Sequence, residues 1–348
     1  MQAAETRKNS QGKSITRALG NYSFIFIFLF IFAFFLFINL VLNVGSLTWN
    51  GVMNIPRHAT VVGVIAFGMG LVIITGGIDL SVGSMLALIG GLSVEVFNVT
   101  NSVVLTLLFA LLLGAVCGFI NGFLIGKVRM PAFIVTLATM MIYRSLAQYY
   151  LRAAVRKSIY NMDGTLSAYN GFYGFGQAKM ATVPVVALVF VVVMLFVVFV
   201  TTSTKFGKSV FALGSNERAA HLAGINVSWT RVAVYIITGV LCGIAAFLHL
   251  AMNGSVDPAT VGKSNEMYAI AAVVIGGISM SGGKGKLLGV MFGAMSYTII
   301  DKIIASLRLD ALINDTIKGS ILLVAVLVQI MIPAIREKMV KNKNKVLV

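Results

Sequence analysis

Two apolar runs, near residues 58–77 and 80–97, meet in the phrase Thr75-Gly76-Gly77-Ile78-Asp79-Leu80-Ser81-Val82-Gly83-Ser84. It places one acid, three hydroxyls and three glycines among apolar neighbours. In hydrocarbon a charged side chain at a helix centre costs at least about 2.5–3.5 kcal/mol, so it faces protein or a water-filled path. Glycines at that depth point to a broken or closely packed helix whose freed backbone is shielded by protein. A related phrase, Ile275-Gly276-Gly277-Ile278-Ser279-Met280-Ser281-Gly282-Gly283, returns later in the chain. Two polar breaks in matching apolar surroundings are the pattern of a transporter built from two related halves.

Composition agrees with a membrane setting. Of 348 residues 58% are hydrophobic and only 11% charged, with a mean hydropathy of +0.95. That is too little charge to coat a soluble domain of this size. The net charge of +16 would suit nucleic acid, but the basic residues are scattered among loops and termini. Cytoplasmic loops of membrane proteins carry that bias, so lipid and not nucleic acid is the expected partner. Cys117 and Cys242 sit in apolar runs with no Cys or His at ligand spacing, which reads as small buried side chains and no metal.

Residues 1–23 form a polar tail with Arg7, Lys8, Lys13 and Arg17, ahead of an apolar run at 24–44. That run is longer than a leader's apolar region, and no small-x-small site follows in Gly45-Ser46-Leu47-Thr48, so it reads as a retained span. Spans are expected near 24–44, 58–77, 80–97, 102–126, 131–150, 183–203, 231–252, 265–281, 286–306 and 317–335. The fold class is therefore an all-α integral membrane protein of about ten transmembrane helices in two related halves. With the N-terminus inside, outer segments hold only Arg57, Arg152, Arg156, Lys157, Lys179, Lys263 and Arg308. The larger basic set then faces inwards, which puts both termini in the cytoplasm. A transmembrane domain thus runs from 24 to 335, with a basic cytoplasmic tail at 336–348, an external loop at 151–182 and a cytoplasmic loop at 204–230.

The external loop is rich in Gly, Ser, Asn and Tyr, and reads as an ordinary loop with aromatic anchors or as a small docking surface. The inner loop holds a short helix signal. Asn216 suits an N-cap, Glu217 the first turn, Ala219 and Ala220 the helix, and Gly224 its end. Two turns are marginal alone. Pattern leaves two readings open, a contact for a cytoplasmic partner and a linker helix lying on the membrane.

Motifs for chemistry are mostly absent. Gly-Lys-Ser occurs at 12–14, 207–209 and 262–264, but the P-loop glycine is replaced by Arg7, Thr202 and Asp257. Gly282-Gly283-Lys284-Gly285-Lys286-Leu287 lacks the Ser/Thr that would hold magnesium and reads as a tight turn. His58, His221 and His249 are too scattered for a metal site or a nucleophile–base pair. Asp79, Glu95, Glu266 and Asp301 could serve a proton or cation relay. Asp301 is followed by Lys302, and Asp79 suits the cap of a helix starting at Leu80, with Ser81 in its first turn; that is the preferred reading. Glycine recurs at 114, 118, 122 and 126, and again at 285, 289 and 293, a sign of close helix packing.

Four stretches together carry a family resemblance. They are Thr75–Ser84, Met130-Pro131-Ala132-Phe133-Ile134-Val135-Thr136-Leu137-Ala138-Thr139-Met140, Ala212–Asn226 and Ala271–Gly289. In this order they resemble the ribose/galactose/xylose-type ABC transporter permeases, over most of residues 50–335. Small departures are Ser215 in place of a frequent Gly, and Arg144-Ser145 in place of Arg-Gly. The resemblance implies a permease subunit in a bacterial inner membrane, paired with a second permease copy and two cytoplasmic ATPase subunits. It implies a soluble periplasmic or lipid-anchored sugar-binding protein as a further partner. ATP and magnesium would be bound by the ATPase and no cofactor by this chain. Asn216, Glu217, Arg218, Ala219, Ala220 and Gly224 match the family's ATPase-coupling helix. Gly76, Gly77, Asp79, Ser81, Gly83, Gly276, Gly277, Ser279, Ser281, Gly282 and Gly283 are the candidate hinge and translocation-path residues. Alternatives are a branched-chain amino-acid-type ABC permease and a proton-coupled carrier.

Overall fold

The computed structural model describes residues 23–42, 48–155, 160–307, 313–314, 316–327 and 331. The N-terminal tail (except residue 23), the basic tail at 336–348 and residues 328–330 and 332–335 at the end of the last expected span lie outside the described residues. In chain order the main helices are α1 Ser23–Val41, α2 Trp49–Ile74, α3 Val82–Thr100, α4 Val103–Gly126 and α5 Ala132–Val155. They continue with α6 Tyr169–Gln177, α7 Val185–Ser203, α8 Lys205–Ser215, α9 Glu217–Leu222 and α10 Val227–Asn253. The chain then forms α11 Asn265–Ile275, α12 Leu287–Ser306 and α13 Thr316–Leu327. Seven of the described helices are long and apolar enough to cross a bilayer, so the chain is an all-α, multi-pass membrane protein.

Helices α2 and α10 form the centre. The most apolar window of α2 is 83% buried against 17% for α1 and 28% for α4, so the outer helices turn apolar side chains to lipid. The stripe of glycines on α4 explains how α10 comes so close. Gly114 faces the Gly239 carbonyl, Gly118 that of Tyr235, Gly122 that of Val232 and Gly126 that of Ser228. From the other side, Gly239 meets the Gly114 carbonyl and Gly243 that of Ala110. No driving force separates apolar side chains from lipid, so helices hold each other through such backbone contact. In the second stripe Gly289 and Gly293 press on Gly276 and Ala272 of α11 and its end, whereas Gly285 lies before α12 begins.

The eighth expected span is corrected. The apolar run at 265–281 continues through a Gly-Gly pair, but α11 stops at Ile275 after 11 residues. At about 1.5 Å per residue it covers roughly half a bilayer. The segment before it therefore dips into the bundle, where Gly262 (φ +71) packs on the Gly83 carbonyl of α3. The third span likewise begins at Val82 rather than residue 80.

The 160–184 segment is more ordered than a plain loop. Strand β1 (Tyr160–Asn161) pairs antiparallel with β4 (Ser255–Val256), and β2 (Lys179–Met180) pairs with β3 (Val183–Pro184). Asn98 donates to the Asn161 carbonyl at 3.1 Å and accepts from the Asp163 amide at 2.8 Å. Arg57 donates to Gln177 Oε1 at 2.6 Å. The hydroxyl and amide of Thr165 both donate to Asp163, holding its carboxyl below the usual carboxylate range. These ties fasten the segment across the ends of α2, α3 and α10.

Candidate functional site

The short helix α9 is built by its caps. Asn216 Oδ1 accepts the Ala219 amide at 2.9 Å. Gly224 takes φ +80 and the Ile225 amide returns to the Ala220 carbonyl at 3.1 Å, a left-handed stop that favours glycine. Asn226 Oδ1 then accepts the Trp229 amide at 3.1 Å and starts α10. Of the α9 residues only Ala220 is buried; Glu217, Arg218 and Ala219 are exposed, and Leu222 is 80% exposed. The helix is tied to α10 by a two-pronged ion pair, with Arg231 Nη1 and Nη2 at 3.1 and 2.6 Å from the Glu217 carboxylate oxygens. Such forked geometry fixes orientation even where an exposed pair adds about 1 kcal/mol or less.

The two polar breaks have the same internal design. After α2 the Gly77 amide reaches back to the Val72 carbonyl at 3.0 Å, with Gly76 at φ +82. After α11 the Ile278 amide reaches back to Val273 at 3.2 Å, with Gly277 at φ +83. Each is a left-handed helix stop, placed one glycine later in the second break. A side-chain turn follows in both. Asp79 Oδ1 accepts from the Ser81 amide at 2.9 Å and its hydroxyl at 2.6 Å, while Ser279 Oγ accepts the Ser281 amide at 3.3 Å.

Asp79 is fully buried, and Ser81 in turn accepts from Asn121 Nδ2 at 2.9 Å. The cap reading of Asp79 is corrected: regular helix begins at Val82 with Ser81 in the N-cap place and no side-chain cap bond, so Asp79 closes a side-chain turn just ahead of α3. Asp79→Asn keeps an accepting oxygen there, so uptake should stay within about fivefold of the parent, as the cost of one altered hydrogen bond of about 1 kcal/mol allows. Asp79→Ala removes the acceptor and should lower both yield and uptake. Uptake abolished by the Asn change alone would make the acid a relay instead.

A cleft of about 1040 Å³ joins the two sets of candidate residues. Gly76 and Gly77 of the first break line one side, Glu217 and Arg218 of α9 another, and Arg129 in the α4–α5 turn a third. Arg231 and Tyr235 of α10 form its back. The other candidates lie elsewhere. Gly276 packs on Gly289, Gly83 on Gly262, and Asp79 and Ser81 are enclosed behind the break. Gly283 crosses to the first break, its amide donating to the Ile74 carbonyl at 2.9 Å. Sequence reading missed Asn121 and Tyr235, whose side chains carry no local signal. It also gave Arg144 no role, although a guanidinium within the 131–150 apolar run was a signal.

Comparison with known proteins gives a consistent result. A family model described as the permease component of branched-chain amino acid transport systems matches residues 51–330. The ribose import permease of Escherichia coli is 34% identical over 287 residues, covering 82% of this chain and 88% of the relative. The fructose import permease of Rhizobium meliloti is 35% identical over 246 residues, 69% of this chain and 67% of its own. The galactose/methyl galactoside import permease of Escherichia coli is 31% identical over 286 residues, 78% and 84% of the two chains. No solved structure matches the chain.

Proposed function

Since the chain belongs to the ABC-importer permeases, and among them to the monosaccharide permeases, we propose that it moves sugar through a paired path driven by separate ATPase subunits. It is a membrane-embedded transport subunit and not itself an enzyme. The sugar names of its relatives favour this over an amino-acid permease, despite the family model's broader description. Our reading places about ten spans in a bacterial inner membrane with both termini in the cytoplasm, the α9 end inwards and the 160–184 segment outwards. The partners are a second copy of the permease, two cytoplasmic ATPases that bind ATP and magnesium, and an external sugar-binding protein.

The observation that carries the reading is the cleft between α9 and the first break. An exposed, capped helix tied to the core helix by Glu217 and Arg231 is a surface on which a cytoplasmic motor can act. ATP-driven closure of the ATPases pulls α9 of each copy, and the paired halves alternate the side on which the central path is open.

Transport into vesicles, with and without the ATPase subunits, tests this directly. Uptake should require both the ATPase and ATP. Accumulation driven by a pH gradient alone would sink the reading and restore the proton-coupled carrier. Glu217→Lys reverses one half of the ion pair, and Gly224→Pro abolishes the left-handed stop, since proline is confined to φ near −65°. Both variants should insert normally yet lose at least tenfold in uptake while ATP hydrolysis continues. Parental uptake by both would remove α9 from the mechanism.

A further inference from the structure

The segment leading into α9 touches both Gly-Gly breaks at one place. Helix α8 ends at Ser215, one residue before the Asn216 cap, and its Gly214 lies against the backbone of two distant segments. A Cβ added at Gly214 would fall on the carbonyl oxygen of Ile74, the last residue of α2, and 2.7 Å from the Gly283 amide nitrogen. Gly283 donates to that same Ile74 carbonyl at 2.9 Å, and the Ser215 hydroxyl donates to the Gly283 carbonyl at 3.4 Å. Gly282 belongs to the same knot. A Cβ there would stand 3.1 Å from both the Gly214 and Ile74 carbonyl oxygens and 3.3 Å from the Gly76 amide.

We infer that Gly214, with Ser215, Gly282 and Gly283, is the positioning joint through which a displacement of α9 reaches both breaks in one stroke. The inference rests on the ATP-driven reading above. Contact here is backbone on backbone, so no side-chain rotation can absorb a push. Close-packed groups transmit strain, and their interfaces switch rather than stretch. Helix α8 suits a lever, because Gly207, Val210 and Leu213 bury one of its faces along its length. The breaks suit hinges, because Gly76, Gly277, Gly282 and Gly283 hold left-handed φ values of +82, +83, +78 and +67 in the turns themselves. Joining both halves at one point makes them switch together. Docking of the ATPase belongs to the exposed surface of α9, and the joint lies beneath it.

Gly214→Ala is the direct test. Position 214 is helical, and alanine is favoured there over glycine by about 1 kcal/mol, so a loss must come from the contact. The complete transporter, with its ATPase and binding protein, is placed in vesicles. The variant should keep its ATPase and hydrolyse ATP, but import sugar at least tenfold more slowly. A thiol at the exposed Ser281 (Ser281→Cys) should change its labelling rate with ATP in the parent and cease to do so when combined with Gly214→Ala. Cys117 and Cys242 are buried, so this chain itself adds little background. Parental import with intact ATP-dependent labelling overturns the inference. So does loss of the ATPase from the complex, which would assign Gly214 to docking. Should Gly214→Ala not reach the membrane, Ser215→Ala removes only the 3.4 Å hydrogen bond and carries the test. A two- to fourfold loss of uptake and of the labelling change supports the joint, and no change in either overturns it. Failure of the ATP-driven reading would show separately, as parental uptake without ATP.

Discussion

Valine in place of Gly118 is expected to cost at least about 3 kcal/mol and to leave little folded protein in the membrane. The residue is helical and faces a neighbour in a lipid-compatible span, so valine is acceptable there on propensity and polarity. What it meets is the backbone of α10. A Cβ would overlap the Tyr235 carbonyl oxygen and stand 2.9 Å from its carbon and 3.0 Å from Ile236 Cα. None of those atoms can rotate away. Helix α10 must shift, and its contacts at Gly114–Gly239 and Ala110–Gly243 are on the same face. Yield after extraction and the thermal unfolding midpoint should both fall, with Gly118→Ala intermediate. Gly171→Val is the control, because nothing lies within 4 Å of a Cβ there. A parental midpoint for Gly118→Val would mean that α4 and α10 do not approach so closely.

Arg144→Ala is expected to be the second severe change, and for a polar reason. Its Nη1 donates to the carbonyls of Pro258 at 2.9 Å and Val261 at 2.6 Å, and Nη2 to that of Gly83 at 3.3 Å. Two of these belong to the segment that dips into the bundle ahead of the half-length α11. Irregular backbone at that depth is tolerated only where protein satisfies it. Each hydrogen bond to a charged group contributes about 1.5–3 kcal/mol, so losing the clamp should cost about 4 kcal/mol or more. Amide exchange across residues 257–265 should quicken and sugar uptake should fall at least tenfold. Arg144→Lys should recover only part, since an ammonium is one point of charge and cannot span three carbonyls as a planar fork does. Unchanged exchange in Arg144→Ala would show that the segment is held by its packing on Gly83 alone.

Much of the molecule was legible in residues read locally. The apolar runs predict where membrane helices lie, and the stop and cap chemistry of Asn216 and Gly224 predicts α9 to within a residue. The glycine stripe on α4 reads as a packing face, but nothing in its spacing names α10 as the partner. Length failed as a guide at α11, because the hydrophobic count runs on through Gly276 and Gly277 while the helix ends before them. Helix α8 was missed altogether. Its two glycines and its lysines resemble a loop, and only the recurrence of Phe206, Val210 and Leu213 hints at a helical face. The 160–184 segment hid its order for a related reason: its bonds run to Asn98, Arg57 and Ser255, far away in the chain.

The two polar breaks divide in the same way. That each would end a helix and start a side-chain turn follows from the sequence itself, because Gly-Gly stops and Asp or Ser turns are made within a few residues. The sequence likewise determined the membrane setting, since hydropathy is a property of each segment alone. Only the tertiary structure decided that the breaks hydrogen-bond to each other through Gly283 and Ile74, that Gly214 lies across both, and that one cleft holds the first break with α9. Those contacts depend on how close whole helices can come, and a chain reveals that only when its distant glycines and carbonyls are folded against one another.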